Sequence, residues 1–281
     1  MMQLSPVYGP TPLIELDGDP SAVGEITIRQ RRRLASTFAD LDAPRWAAPT
    51  RCEGWTPRDV ASHLESATRF WTLSIRSALA DGPTRYLAGF DPVAVPAQIV
   101  AADQRPGEEV AAALAAATEE LAELLASLAP TDWARLAEGP PGHITIDALV
   151  HHGHWDTWTH ERDVLLPQGI DPPVEPDEVL AALRYVATLA PALTLGHRGA
   201  GRTTVVEVRA ADPDATFRVT IDEHVTATSG PAISTPDVVI AGDALDLLEQ
   251  LSVRRPRTFE VDPAHRWLVD GLAVAFDQPG V

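Results

Sequence analysis

An α+β protein in two parts is the fold class this sequence predicts: an N-terminal antiparallel four-helix bundle followed by a small α+β domain. Three observations carry that expectation. Four stretches between residues 22 and 167 repeat apolar residues at the spacing of an amphipathic helix. Pro167, Gly169, Pro172, Pro173 and Pro176 then break the chain. Beyond them the period drops to two, with β-branched residues alternating in TTVVEVR and TFRVTI. The expected division is a flexible arm over 1–21, a bundle over 22–167 and an α+β domain over 177–281.

Residues 1–20 are rich in proline and glycine and read as an extended, weakly ordered arm. A first helix over about 22–42 follows from Ile26, Leu34, Phe38 and Leu41. The second is signalled more strongly. Thr56 suits an N-cap, Pro57 the first helical position, and the Asp59 carboxylate the positive end of the helix dipole. It should end near Leu79, before Gly82 and Pro83. The third, over about 108–128, is rich in Ala, Leu and Glu, and the fourth runs from about Thr145 to Leu166. Four helices of similar length make an antiparallel bundle the natural packing. The second part should hold a helix over 177–195, strands over 203–209, 216–221 and 237–242, and a helix over 243–251. TFEVD (258–262) and a short helix around Trp267 complete it.

At 281 residues the chain fits one large domain or two modest ones. A net charge of −18 argues against nucleic-acid and anionic-membrane partners, which need a basic surface. No apolar run reads as a bilayer span and the first residues lack signal-peptide order, so a cytoplasmic location is expected. The one cysteine, Cys52, has no intrachain disulfide partner. The sequence sets no oligomeric state.

The chemistry concentrates in HHGHWDTWTHERDV (151–164), where Asp156 and His160 stand four residues apart. On a helix that spacing puts the carboxylate and imidazole on one face, roughly 6 Å apart. Leu149, His152, Gly153, Asp163 and Val164 share this side. His63, on a face with Val60, Leu64, Phe70 and Trp71, would supply a third donor from the second helix. Two imidazoles and one carboxylate are the ligand set of a catalytic zinc with one position open. The plainer reading of Asp156 and His160 is an exposed ion pair contributing ~0.2–0.5 kcal/mol. For His63 it is a core histidine bonded to a carbonyl. Ionisable groups on inward faces are costly unless paired or metal-bound, which favours the metal. His152, one turn earlier, is the rival ligand or a supporting partner.

TRCEGWTPRDVASHL (50–64) resembles the stretch around the first metal histidine of the mycothiol-dependent maleylpyruvate isomerase family, within the DinB-like metal-binding four-helix bundles. The match runs through Thr50, Cys52, Gly54, Trp55, Asp59, Val60, His63 and Leu64. A second family signature, an acidic residue followed by a His-x-x-Asp run, falls on Asp156, His160, Asp163 and Val164. The resemblance implies His63, Asp156 and His160 as metal ligands, with Asp156 standing where the family usually has glutamate. It extends through the C-terminal segment, which looks like the family's sterol-carrier-like domain. There the family often carries Leu-x-Gly-Arg with the arginine facing the site. LSVRRP puts Arg254 in that catalytic and cofactor-binding role, with Val253 in place of glycine and Arg255 as the alternate.

What the resemblance implies is a divalent-metal enzyme, with zinc as the metal and mycothiol or a similar low-molecular-weight thiol as cofactor. It would act on a small electrophile by S-transfer or cis–trans isomerisation. Arg254 would clamp a carboxylate, Asp163 would orient a neighbour, and Cys52 and Trp55 would pack. The alternative is a non-catalytic metal- or small-ligand-binding module.

Overall fold

The computed structural model describes residues 6–198 and 203–276. The chain begins with strand β1 (Ile14–Leu16) and enters helix α1 (Pro20–Ala39) through the Asp19 cap. A short α2 (Ala43–Trp46) leads to α3 (Pro57–Ala80), then α4 (Ala94–Ala102) and α5 (Gly107–Ala126). The hairpin β2 (Leu136–Gly139) and β3 (Gly142–Thr145) feeds directly into α6 (Ile146–Leu165). Then come α7 (Pro176–Arg198), β4 (Thr204–Ala211), β5 (Ala215–Ile221), β6 (Val225–Ser229), β7 (Val238–Asp243), α8 (Ala244–Leu251) and α9 (Trp267–Ala275).

α1, α3, α5 and α6 form the bundle, with α5 and α6 each packed against both α1 and α3. One core cluster includes Leu34, Phe38, Val60, Leu64, Val110, Leu114 and Val164, all essentially inaccessible to solvent. The second helix starts as its sequence predicts. Asp59 reaches back to accept from the N–H (2.9 Å) and hydroxyl (2.8 Å) of Thr56. The Thr145 hydroxyl caps α6 by accepting from the N–H of Ala148 at 3.0 Å.

The five-stranded sheet has the order β1-β6-β5-β4-β7. β5 is antiparallel to both β4 and β6, whereas β7 lies parallel to β4 and β1 parallel to β6. The N-terminal segment therefore differs from the expected arm. Residues 1–5 lie outside the described residues; beyond them, Ile14 pairs with Val225 and Leu16 with Ala227. Val7 also bonds across Gly142, where φ is +124° and a Cβ would overlap the Val7 carbonyl. Three residues of strand carry too little periodicity to mark β1, and the Gly-Pro-Pro-Gly turn masks β2 and β3. No strand forms over 258–262.

α7 joins the two parts rather than beginning a detached one. It packs on α6 and α1, and also on α8, α9 and the sheet. Gly271 of α9 lets the two backbones meet, since a Cβ there would overlap the carbonyl of Ala190. Arg33 on α1 bridges Glu161 of α6 (2.9 Å) and Glu178 of α7 (2.7 Å), both fully buried carboxylates. Contrary to the reading that no run could span a bilayer, Pro176–Leu195 is long and apolar enough by composition. Here it is a core helix, mostly buried, whose apolar faces meet α6, α9 and the sheet.

Candidate metal centre

α3 and α6 lie side by side, and the turn 50–56 closes over their contact. His63 projects from α3 so that its Nε2 stands 3.5 Å from Asp156 Oδ1. One helical turn along α6, His160 Nε2 reaches the same oxygen, also at 3.5 Å. The two imidazoles meet edge to face with centroids 4.9 Å apart, and Trp55 packs against His63 at 5.4 Å. The sequence-predicted triad is brought together.

These separations bear on whether an ion fits. They exceed ordinary N–H···O distances of ~2.7–3.2 Å. Zinc ligands at ~2.0–2.1 Å in tetrahedral arrangement lie about 3.3 Å from one another, close to what the side chains already show. Asp156 Oδ2 is buried and has no hydrogen-bond partner among the described residues. A buried carboxylate oxygen left so is costly unless a cation balances it. Two neutral nitrogens and one carboxylate suit a divalent ion, so the residues fit the group.

Electrostatics point the same way. Burial pushes the Asp156 carboxyl up, but the facing His63 imidazole, with His160 and His152, holds it well below the usual carboxylate range. Burial disfavours the His160 cation, yet the Cys52 sulfur, the Asp163 hydrogen bond and Asp156 raise it well above an ordinary histidine. The cluster favours positive charge.

The other ring nitrogen of His160 faces a second group. Its Nδ1 lies 3.1 Å from Asp163 Oδ2, with Cys52 Sγ 3.2 Å from that same oxygen and 3.5 Å from Nδ1. Cys52, His160 and Asp163 are near enough together to hold an ion as well. That grouping is the poorer cation site, because two arginines already neutralise its carboxylate. Arg254 donates from Nε to Asp163 Oδ1 (2.9 Å) and from a terminal nitrogen to Oδ2 (2.9 Å), a bidentate fork. Arg51 adds a bond from Nε to Oδ1 at 2.9 Å. Burial pushes the Asp163 carboxyl up, but the hydrogen bond from His160 and the charge of Arg254 hold it far below the usual range.

The resemblance gives Arg254 a role on substrate or cofactor; the structure gives its fork a partner inside the protein. Local backbone explains the aim. After α8, the N–H of Val253 bonds the carbonyl of Gln250 and that of Arg254 the carbonyl of Glu249, a Schellman closure with Val253 at φ 57°. Arg255 pairs with Asp246 at the surface, away from the triad.

His152 does not join the triad. Its Nδ1 is 2.9 Å from the Tyr185 hydroxyl, its ring meets Trp71 at 4.9 Å, and burial lowers it to about 4. Trp155, on another face of α6, donates to the Ser252 hydroxyl at 2.9 Å. Sequence reasoning missed Arg51 and Glu249, which bond each other at 2.8 and 3.2 Å. Their one signal is a glutamate on the buried face of an amphipathic helix.

Fold and site together define a four-helix-bundle protein with an N/N/O donor group between two bundle helices and a C-terminal segment braced against it. Residues 28–165 match the family model described as the mycothiol maleylpyruvate isomerase N-terminal domain. A solved structure of the mycothiol-dependent maleylpyruvate isomerase superposes with a TM-score of 0.55 at 13% identity, over 84% of this chain and 88% of the other. A histidine-to-alanine mutant of that isomerase gives 0.57 at 12% identity, with the same coverage. The chain has that fold across both its helical and its mixed-sheet parts. No curated protein matches it.

Proposed function

We propose that this protein is a divalent-metal-dependent enzyme that activates a low-molecular-weight thiol, mycothiol or a close analogue, for S-transfer or cis–trans isomerisation of a small electrophile. The convergence of His63 Nε2, His160 Nε2 and Asp156 Oδ1 carries the reading. Zinc held there would supply an open Lewis-acid position at which a thiol loses its proton below its ordinary pKa of ~8.5.

The chain's own residues prepare that position. His63 and His160 turn their Nε2 atoms to one point, and Asp156 balances charge there. Asp163 lies 3.1 Å from Nδ1 of His160, so an imidazole that keeps its proton there would offer Nε2 as the donor atom. Trp55 packs on the His63 ring, with centroids 5.4 Å apart. Cys52 is engaged with Asp163 and His160, so the reacting sulfur comes from the cofactor. The matched family's description and the similar isomerase structures support mycothiol as that cofactor.

A second reading, a small-ligand-binding module, has one observation in its favour. A cavity of about 400 Å³ lies between α1, α6, α7 and the sheet, lined by Val23, Ile26, His151, Leu180 and Phe217. None of His63, Asp156 and His160 lines it, so the cavity is separate from the triad. Cobalt-loaded protein titrated with mycothiol separates the readings. The enzyme reading expects a sulfur-to-metal charge-transfer band, in wild type and in Cys52→Ser alike. An unchanged spectrum at saturating thiol rejects it in favour of the binding module.

A further inference from the structure

Resting on the metal reading above, we propose that Asp163 is the positioning carboxylate of the centre. Through it, the C-terminal segment sets how tightly His63, Asp156 and His160 hold an ion. The observation is a continuous chain of short bonds. Glu249 on α8 fixes Arg51 by two contacts, and Arg254 leaves the end of the same helix. Both guanidiniums grip Asp163, whose side chain is fully buried, and Asp163 faces His160 Nδ1.

An imidazole that offers Nε2 to a cation must carry its proton on Nδ1, and a fixed acceptor there sets both tautomer and ring orientation. Asp163 supplies that acceptor at 3.1 Å, and three guanidinium bonds of 2.9 Å keep its two oxygens from rotating away. Charge balance permits the role. Asp163 and Glu249 are matched by Arg51 and Arg254, so the network is neutral without a cationic His160. A purely structural ion pair would need only the carboxylate and the arginines. It would not need one oxygen shared between Arg254 and the imidazole, as Asp163 Oδ2 is. Because the bonds run through both parts of the chain, ion binding and docking of the C-terminal segment reinforce each other reciprocally.

Zinc affinity, measured by competition with a chromogenic chelator at fixed pH and salt, tests this in the full chain. Asp163→Asn should bind zinc ~10–100-fold more weakly, the range for lost outer-shell partners. Arg254→Ala should shift affinity the same way while far-UV circular dichroism is unchanged. Arg254→Lys should recover only part, since an ammonium cannot reproduce the fork. Arg255→Ala, which removes a surface pair, should bind as wild type. The rise in melting temperature on adding zinc should shrink in the same order. Wild-type zinc affinity in both Asp163→Asn and Arg254→Ala overturns the proposal and leaves the metal reading standing. A wild-type protein that binds no zinc overturns both. Should Asp163→Asn fail to fold, the two Arg254 variants decide the matter.

Discussion

Arg254 donates its backbone N–H to the carbonyl of Glu249 at 2.8 Å, closing α8 across a valine held in the left-handed region at φ 57°. For a β-branched residue that conformation is a genuine outlier, costing of order 1–3 kcal/mol. The turn is kept because Arg254 and Arg51 together weld its surroundings to Asp163. Val253→Gly removes the strain, at the expense of a partly buried side chain and some unfolded-state entropy. The net expected outcome is a gain of about 1 kcal/mol in urea unfolding. A loss would show that Val253 packing outweighs its backbone strain.

His154 gives the stability a pH dependence. It is wholly inaccessible, its Nε2 lies 2.9 Å from the Glu178 carbonyl, and burial lowers it to about 4. The unfolded chain takes up a proton near pH 6.5 while the folded chain refuses it until about 4. Stability is therefore intact above pH 6.5 and falls as the pH drops from 6.5 toward 4. At pH 5 the loss from this group is on the order of 2 kcal/mol. His154→Gln, which keeps a donor for Glu178 without a titrating ring, should flatten that part of the profile in metal-free protein. An equally steep slope in the variant would assign the effect to other groups.

The bundle was legible in the sequence because its helices follow the 3.6 period and begin with chemistry as specific as Thr56-Pro57-x-Asp59. The triad was legible for the same reason: Asp156 and His160 need one helix, and His63 needs only its neighbour. The clamp on Asp163 was not, because Arg51 and Arg254 lie 112 and 91 residues away and no local pattern encodes such pairings. His152 was likewise undecided until Tyr185, on another helix, supplied its partner. A valine standing where a glycine is customary is visible in the letters, but its φ is not. β1 and β6 escaped because three and five residues on a sheet give too short a repeat to separate from loop.

Arg33 tests how firmly the two parts are joined. It carries bonds of 2.7–2.9 Å to the buried carboxylates of Glu161 and Glu178. Arg33→Met leaves Glu161, among the described residues, with the 3.3 Å contact from Gln30, though Glu178 keeps Arg29. Removing one partner from a buried ion pair costs about 3–5 kcal/mol, and some 3 kcal/mol is expected here because Arg33 is partly exposed and Arg29 remains. Unfolding of wild type should be a single transition by circular dichroism and tryptophan fluorescence alike. Protease cleavage within 168–175 should leave the fragments associated. Fragments that separate on a sizing column would mark two independent domains.

Asp156 is where this chain departs from the glutamate usual in the resembled family, and the structure says what the shorter side chain does. Its Oδ1 is equidistant from His63 and His160 at 3.5 Å, so the helices stand close enough for an aspartate to reach both. Asp156→Asn keeps the shape but removes the charge that balances a divalent ion. It should lower zinc affinity by at least ~100-fold, or ~2.7 kcal/mol, with helix content unchanged. Asp156→Glu keeps the charge and adds a methylene to a tightly packed site, where overpacking costs roughly 1–3 kcal/mol. It should retain zinc but melt at a lower temperature than wild type. His152→Ala should leave zinc affinity within a few-fold of wild type, because its ring is engaged by Tyr185 and Trp71 and does not face the ion. Zinc affinity lost in His152→Ala and kept in Asp156→Asn, measured by the same chelator competition, would assign the third donor to the histidine instead.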